Sequence, residues 1–562
     1  MARCVSLLTA MFALSTATAT VQAQHGETAA SLEQRCAEGS FGGAKTETLT
    51  AKWEFSTDSG KTFAAMPAAV GARQALTARA TFPVNDPTAV AALWVTFDET
   101  NAGKSTQGAF ATCGHEDVGG GECGASPLWT HVIVTLNGKS PQGPLPGMMY
   151  HALPLQTSGV LVKGDNTLTI SGPLSALGGI AQIALKPLQL VAAAPGKAVI
   201  RSGPILGHFG DDFFTVTCRT GLPAQVTVTA TPVEPAGAAG TATSAVNFYH
   251  RLKVPLPKGT RKFTYVVTSN LGDAVDSKGP FTVSLPASDA KTLRVVTYGN
   301  SSGNYYSWTK ASLYAQGMLK LKPDIFVHVG QIMEFGAWDF QWDVFYLEKF
   351  AQLMATVPTY VAPEYRDRSG LAQKLFASPT ADEENLNWTQ AFGPARLIGI
   401  DGVAGWTKDS PNAKWLEGVL KDSREKYVLA FNHYPGYSDG QQSRPRSRGA
   451  PMFAPLQQCR DTICPLLGKY KATAIVSAFD YDYERVEPTP DKGVTCIVAG
   501  AGGAKTYRLS NRALDNNPFA KTSVTREHTP SFVSFEISDK ECVLKAYDLA
   551  GKVIDEKTFQ PR

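Results

Sequence analysis

Histidine is scarce in this chain. Nine occur in 562 residues, and downstream of residue 290 only His328, His433 and His528 are present. The C-terminal half therefore has few imidazoles for metal binding or proton transfer. Net charge is slight, +4 at neutral pH or +3 without Arg3 (4 − 1). That excludes the dense positive field of a nucleic-acid-binding or polybasic membrane-surface protein. Beyond the N-terminus no apolar run approaches the ~18 residues of a membrane span. No C-x-x-C pairs recur and no histidines stand at zinc-ligand spacing, which removes the common zinc modules. What the chain does have is length and an ordinary apolar share, 43%, enough for three or four domains with cores of their own.

Residues 1–23 have the order of a secretory signal. Arg3 starts it, Val5 to Leu14 is a short apolar stretch, and Val21-Gln22-Ala23 ends on small residues. The mature chain is expected to be exported, extracellular or periplasmic, with no transmembrane segment. Loss of Cys4 leaves eight of nine cysteines (9 − 1). An even number in an exported chain predicts disulfides. Cys113–Cys123 and Cys459–Cys464 close short loops and are the expected pairs, and Cys496 and Cys542 are candidates for a third.

Residues 24–45 are polar and rich in Gly and Ala, a loose lead-in. From 46 to 192 short alternating runs such as Leu93 to Phe97 and His131 to Leu136 are separated by Gly, Asn and Pro turns, which predicts a β-sandwich. Asn137-Gly138 is a hairpin signal. A strand ending in Leu136-Asn137-Gly138, followed later by Gly164-Asp165-Asn166-Thr167-Leu168-Thr169-Ile170, resembles galactose-binding-like jelly rolls. Such a module serves either as a carbohydrate binder or as a spacer. Residues 193–288 predict a second β unit. Its order is Ser202-Gly203-Pro204-Ile205-Leu206, Phe213 to Thr220, Tyr249-His250-Arg251-Leu252 and Phe263 to Val267. This is similar to the fibronectin-III-like domain that precedes the catalytic domain of purple acid phosphatases. His250 reads as a surface strand histidine.

From 289 to 562 the period changes. Strand-like runs at Leu293–Tyr298, Ile325–Val329, Thr359–Ala362, Leu397–Ile400, Tyr427–Phe431 and Ala474–Ser477 alternate with helix-like ones. Trp342–Met354 and Asn412–Lys421 are clearly amphipathic, and Pro455–Tyr470 less regularly so. The pattern predicts an α/β domain whose site lies on loops after the strands.

Those loops carry recognisable residues. They read Tyr298-Gly299-Asn300-Ser301-Ser302, His328-Val329-Gly330-Gln331-Ile332-Met333-Glu334, Pro363-Glu364-Tyr365-Arg366-Asp367, His433-Tyr434-Pro435-Gly436-Tyr437-Ser438, and Ser477-Ala478-Phe479-Asp480-Tyr481-Asp482-Tyr483-Glu484-Arg485. In order and spacing they resemble the purple acid phosphatases, within the calcineurin-like metallophosphoesterases. That family reads Y-G-D-x-G, H-x-G-D-x-x-Y, P-G-N-H-E, H-x-P-x-Y-S and S-G-H-D-H-N-Y-E-R. Gly500-Ala501-Gly502-Gly503 matches the family's glycine turn. The resemblance covers about residues 195–550 and implies a four-layer α/β/β/α domain.

The resemblance also implies a dinuclear site at Asn300, Gln331, Glu334, Tyr365, His433, Phe479 and Tyr481, with Arg366 at the position of the histidine that protonates the leaving group. Only His433 keeps its family identity. Amides stand for aspartates, Phe479 and Tyr481 for histidines, Tyr365 for asparagine and Glu334 for tyrosine. Two polyvalent cations need anionic ligands, one of them bridging, so the expectation is a secreted pseudoenzyme with no metal cofactor. It would bind an anion, a glycan or a protein partner, not nucleic acid. Arg366, His433, Arg444, Arg446 and Arg448 are the anion-binding candidates. The alternative is an active acid phosphatase with a remodelled Fe, Zn or Mn site, drawing on Glu334, Tyr365, His433 and Tyr481.

Overall fold

The computed structural model describes residues 44–562 apart from 66–68, 72–74, 98–132, 140–151, 158, 174–181, 185–187, 197–198, 288, 302–304, 334–340, 366, 368–370, 377–385, 441, 444–452, 488–492 and 504–522. The signal segment, Cys113, Cys123, Glu334, Arg366, Arg444, Arg446 and Arg448 lie outside the described residues.

The N-terminal unit is a two-sheet antiparallel sandwich. One sheet orders Thr46–Leu49, Leu188–Ala193, Ala92–Phe97 and Ala152–Gln156, and the other Lys52–Ser56, Ala75–Val84, Gly164–Pro173 and Ile133–Leu136. Alternate residues such as Leu76, Ala78, Ala80 and Phe82 face one core, the period expected of a half-buried strand. Asn137 and Gly138 both have positive φ, as a tight hairpin turn requires.

The middle unit is built on one long strand, Phe213–Glu234. Its first half pairs with Ile200–Phe209 and Asn247–Pro255, and its second half with Gly240–Thr243 and Lys262–Leu271. His250 is not a surface residue. It is 1% exposed, its Nδ1 lies 2.8 Å from Ser244 Oγ and its Nε2 3.2 Å from Thr220 Oγ1. Strand alternation turns it inward, and burial lowers its pKa to about 4.

The strands of the C-terminal unit are β1 (Thr292–Tyr298), β2 (Ile325–His328), β3 (Thr359–Val361), β4 (Trp388–Phe392), β5 (Ala395–Ile400), β6 (Tyr427–Asn432), β7 (Ala474–Ser477), β8 (Tyr483–Val486), β9 (Thr495–Ala499), β10 (Ser523–Glu527), β11 (Ser531–Ser538), β12 (Cys542–Asp548) and β13 (Val553–Phe559). They form two sheets, ordered β3-β2-β1-β11-β12-β13 and β4-β5-β6-β7-β9-β8-β10. β1, β2 and β3 are parallel, as are β5, β6, β7 and β9.

The burial pattern gives the layers. Val295, Val327, Leu429, Phe431 and Val476 face one core between the sheets. Their neighbours Val296 and Phe326 face helices α1 (Tyr305–Lys320) and α2 (Glu348–Thr356). Val428, Ala430 and Ile475 face α3 (Pro411–Asp422) and α4 (Cys464–Lys469) on the far side. Strands covered on both faces are apolar throughout, and the result is a helix-sheet-sheet-helix stack. α3 starts where Ser410 accepts from the Ala413 amide at 3.2 Å, with Pro411 in the first turn.

The same alternation overturns a cysteine expectation. Cys496 of β9 faces the helix layer, whereas Cys542 of β12 faces the space between the sheets, so these two do not pair. The expected Cys459–Cys464 pair does stand side by side, with Sγ atoms 3.9 Å apart and no S–S bond between them in this structure. Among the described residues no helix is long and apolar enough to cross a membrane.

Candidate functional site

The parallel strands of both sheets end on the same side, and their loops meet there. Asn300 follows β1, Gln331 follows β2, Tyr365 follows β3, His433 follows β6, and Phe479 and Tyr481 follow β7. Backbone bonds lock the loops together. The Asn300 amide donates to Gly330 O at 2.9 Å, Gly299 to Ala499 O at 2.8 Å, and Ala478 to His433 O at 3.0 Å. Gly330 is required by space as well as by its φ of +83°. A Cβ there would lie 2.7 Å from His433 Nδ1.

Three of the positions that the resemblance marks share a backbone signature. Asn300, Gln331 and Phe479 have φ of +58°, +50° and +62°. Left-handed backbone costs a residue with a Cβ ~1–2 kcal/mol and is least natural for a bulky side chain such as Phe. Non-glycine residues in that region gather at functional sites.

The side chains bond to one another. Gln331 Nε2 donates to Tyr481 Oη at 2.8 Å, linking the loops of β2 and β7 directly. Asn300 Nδ2 donates to Asp480 O at 3.0 Å and Gly500 O at 3.1 Å, while its Oδ1 is buried with no hydrogen-bond partner among the described residues. Phe479 sits edge-on to His433, with ring centroids 5.7 Å apart, and also contacts Tyr434 and the half-exposed Phe453. The Tyr365 amide donates to Tyr434 Oη at 3.4 Å.

His433 Nδ1 lies 2.7 Å from Val329 O. A carbonyl can only accept, so Nδ1 carries a proton. His328 is arranged the other way. Its Nδ1 accepts from the Gly330 amide at 3.1 Å, so its Nε2 donates to Ser301 Oγ at 3.0 Å. Burial, and then the neighbouring His433, hold the His328 pKa well below the usual value.

The nearby carboxylates are committed to the frame. Asp367 accepts from the amides of Ile332, Met333 and Glu364 at 2.8, 3.3 and 3.1 Å, tying the β2 and β3 loops. Asp480 accepts from the Gln442 and Ser443 amides at 2.7 and 3.3 Å, and from the Ser438 and Ser443 hydroxyls. Ser438 Oγ lies 2.8 Å from both Asp480 Oδ2 and Glu484 Oε2. It has one hydrogen for two carboxyl oxygens, so one of those oxygens carries a proton. Glu484 is the group best placed to hold it. Burial, then the charge of Asp482, push its pKa up to about 8, while the Asp439 amide hydrogen bond and the Arg526 charge oppose this. Sequence reasoning noticed the run of acids at 480–484 but assigned it no role. The alternation Asp480, Asp482, Glu484 was the available signal.

A pH dependence follows. The unfolded Glu484 carboxyl titrates near 4.5, whereas the folded one keeps its proton up to about 8. The stability it supplies is complete below 4.5 and is lost as pH rises through 8. Asp480 and Asp367, raised to about 6, have finished titrating by then. The buried histidines act with the opposite sign: His208 and His250 are lowered to about 3 and about 4 and His328 well below its usual value, so each adds stability as the unfolded imidazole loses its proton around 6.5. Between pH 6.5 and 8 Glu484's own part is a loss of about 2 kcal/mol at ~1.4 kcal/mol per unit, and comparison with a variant isolates it from the histidines. Glu484→Gln keeps a donor toward Ser438 without the ionisation. Its melting temperature should gain on the wild type's steadily from pH 6.5 to 8. Equal slopes in the two proteins would remove Glu484 from the explanation.

No family model matches the sequence. Human tartrate-resistant acid phosphatase type 5 is 28% identical over 149 residues, covering 26% of this chain and 42% of that protein. The rabbit protein of the same name is 25% identical over 139 residues, covering 25% and 39%. The chain thus spans about two fifths of the length of the curated relatives it matches. Among solved structures, the purple acid phosphatase PPD1 from yellow lupin seeds superposes with a TM-score of 0.55 at 15% identity, over 86% of this chain and 93% of that one.

Proposed function

Starting from a chain that is purple acid phosphatase-like in fold and, over about a quarter of its length, in sequence, we propose that it is an exported, non-catalytic member of that group. It acts by binding an anion, a glycan or a protein partner at the mouth of the former site. The observation that carries this is the Gln331–Tyr481 bond. Two positions that would hold metals in the family are bonded to each other.

The donor chemistry supports the same conclusion. A metal pair needs charged ligands and a bridge between the ions. The described residues at these positions are an imidazole, two amides and two phenols, with Phe479 offering no donor. Among the described residues no group of three or more His, Cys, Asp or Glu side chains is arranged to hold a metal ion. The residues present do not fit a dinuclear centre, and no step of a phosphoester reaction is assigned to them.

Two observations favour the remodelled-enzyme alternative. His433 carries the Nδ1 proton of a metal-binding imidazole, and Asn300 Oδ1 is a buried oxygen without a partner among the described residues. The two proposals separate on aryl phosphate hydrolysis. The wild type is expected to show none above a His433→Ala control. Turnover by the wild type that disappears in His433→Ala would establish the alternative.

A further inference from the structure

Cys459, Cys464 and Cys496 lie together in the core beneath the second sheet's helices, all buried and all thiols. Cys464 is the central member. Its Sγ lies 3.9 Å from that of Cys459, Cys496 packs in the same buried cluster, and both thiols help hold the Cys464 pKa well above its usual value.

A local irregularity produces this arrangement. Residues five apart on a regular α-helix point about 140° away from each other, at ~100° per residue. Cys459–Ile463 instead forms a wide π turn between the short helix Ala454–Gln458 and α4, and the Cys464 amide donates to Cys459 O, five residues back. The extra residue in the turn brings the two side chains over one another. Pro465, which has no amide hydrogen to give, follows directly. On the other side β9 supplies Cys496. Above the thiols lies the loop that carries His433. A Cβ on Gly436 of that loop would come within 2.5 Å of Cys464 Sγ and 3.6 Å of Cys459 Sγ.

We propose that these three cysteines form a single modification site with Cys464 as its pivot. It takes one disulfide, either Cys459–Cys464 or Cys464–Cys496, and leaves the third cysteine as a thiol. In forming the bond, two thiols lose two protons and two electrons to a small disulfide oxidant, which departs as two thiols. Exchange between the two forms is redox-neutral. The third cysteine's thiolate attacks Cys464 Sγ, the new S–S bond forms, and the released thiolate takes up the proton that the attacker gave. The first form staples the π turn to itself, across five residues. The second ties the helix to β9 across 32 residues (496 − 464) and so constrains the unfolded chain more. Both lie directly under the His433 loop, and neither depends on whether the pocket above binds a ligand.

The test is disulfide mapping of the full chain after incubation with glutathione disulfide, alkylation during unfolding, digestion and mass spectrometry. In the wild type Cys464 should be bonded to Cys459 or Cys496, with the third cysteine alkylated. Cys459→Ala should shift the population to Cys464–Cys496 alone, and Cys496→Ala to Cys459–Cys464 alone. Cys464→Ala should leave Cys459 and Cys496 both alkylated. The wild-type map needs no variant to fold. Full alkylation of Cys464 in oxidised wild type, or its pairing with any other cysteine, would overturn the proposal. So would a Cys459–Cys496 bond in Cys464→Ala.

Discussion

Replacing Asp343 with alanine lowers the apparent melting temperature by on the order of 10 °C. Asp343 lies in the π turn before α2 and is 2% exposed. Its carboxylate accepts from Ser202 Oγ, pairs with the buried Arg219, and has Arg201 Nε at 3.5 Å. All three partners belong to the middle unit, so one carboxylate joins that unit to the α/β unit. Removing one member of a buried ion pair costs ~3–5 kcal/mol, because the remaining charge stays in a low-dielectric setting without its counter-ion. At ~2–4 °C per kcal/mol for a domain of this size, a shift of about 10 °C follows. Asp343→Asn should recover part of it by keeping the bond to Ser202. A shift below about 2 °C for Asp343→Ala would show that the cluster does not hold the units together.

Restoring the family's residues as a set should create a metal site, whereas restoring them singly should not. Gln331→Asp alone returns a bridging charge to a site that still has Phe479 and Tyr481. Phe479→His and Tyr481→His alone leave no bridge, and a dinuclear centre needs bridge and terminal ligands together. The combination Asn300→Asp, Gln331→Asp, Glu334→Tyr, Tyr365→Asn, Arg366→His, Phe479→His and Tyr481→His rebuilds the pattern around native His433. The backbone is ready for it. Asn300, Gln331 and Phe479 already hold positive φ, and Asp and His tolerate that region better than Phe. The expected result is a bound metal pair and hydrolysis of an aryl phosphate. Omitting Arg366→His should leave metal binding intact and cost about 100-fold in rate, the usual contribution of a general acid. Hydrolysis regained by Gln331→Asp alone would contradict this.

The loops were legible because each is anchored by a strand and a small-residue turn with strong local signals. β1, β2, β3, β5, β6 and β7 fall on the expected segments, since strands covered on both faces read as continuous apolar runs. Convergence of Asn300, Gln331, His433, Phe479 and Tyr481 then follows from parallel strands ending on one side. Which side-chain atoms bond was not legible, because the Gln331–Tyr481 contact joins residues 150 apart in sequence. The irregular stretch Pro455–Tyr470 has its cause in the π turn at Cys459–Ile463. Cysteine pairing failed for a similar reason. Cys496 and Cys542 both sit in strands, and only sheet alternation reveals that they face different layers. α1 went unrecognised, since Tyr305–Lys320 lacks a clear apolar stripe and carries Gly317.

The claim that the scaffold has lost its metal pair is tested most directly by elemental analysis of the purified chain after dialysis, scanned for Fe, Zn and Mn. The account predicts that each of these is far below one ion per chain. About two tightly held ions per chain, removed with their activity by a chelator, would contradict it.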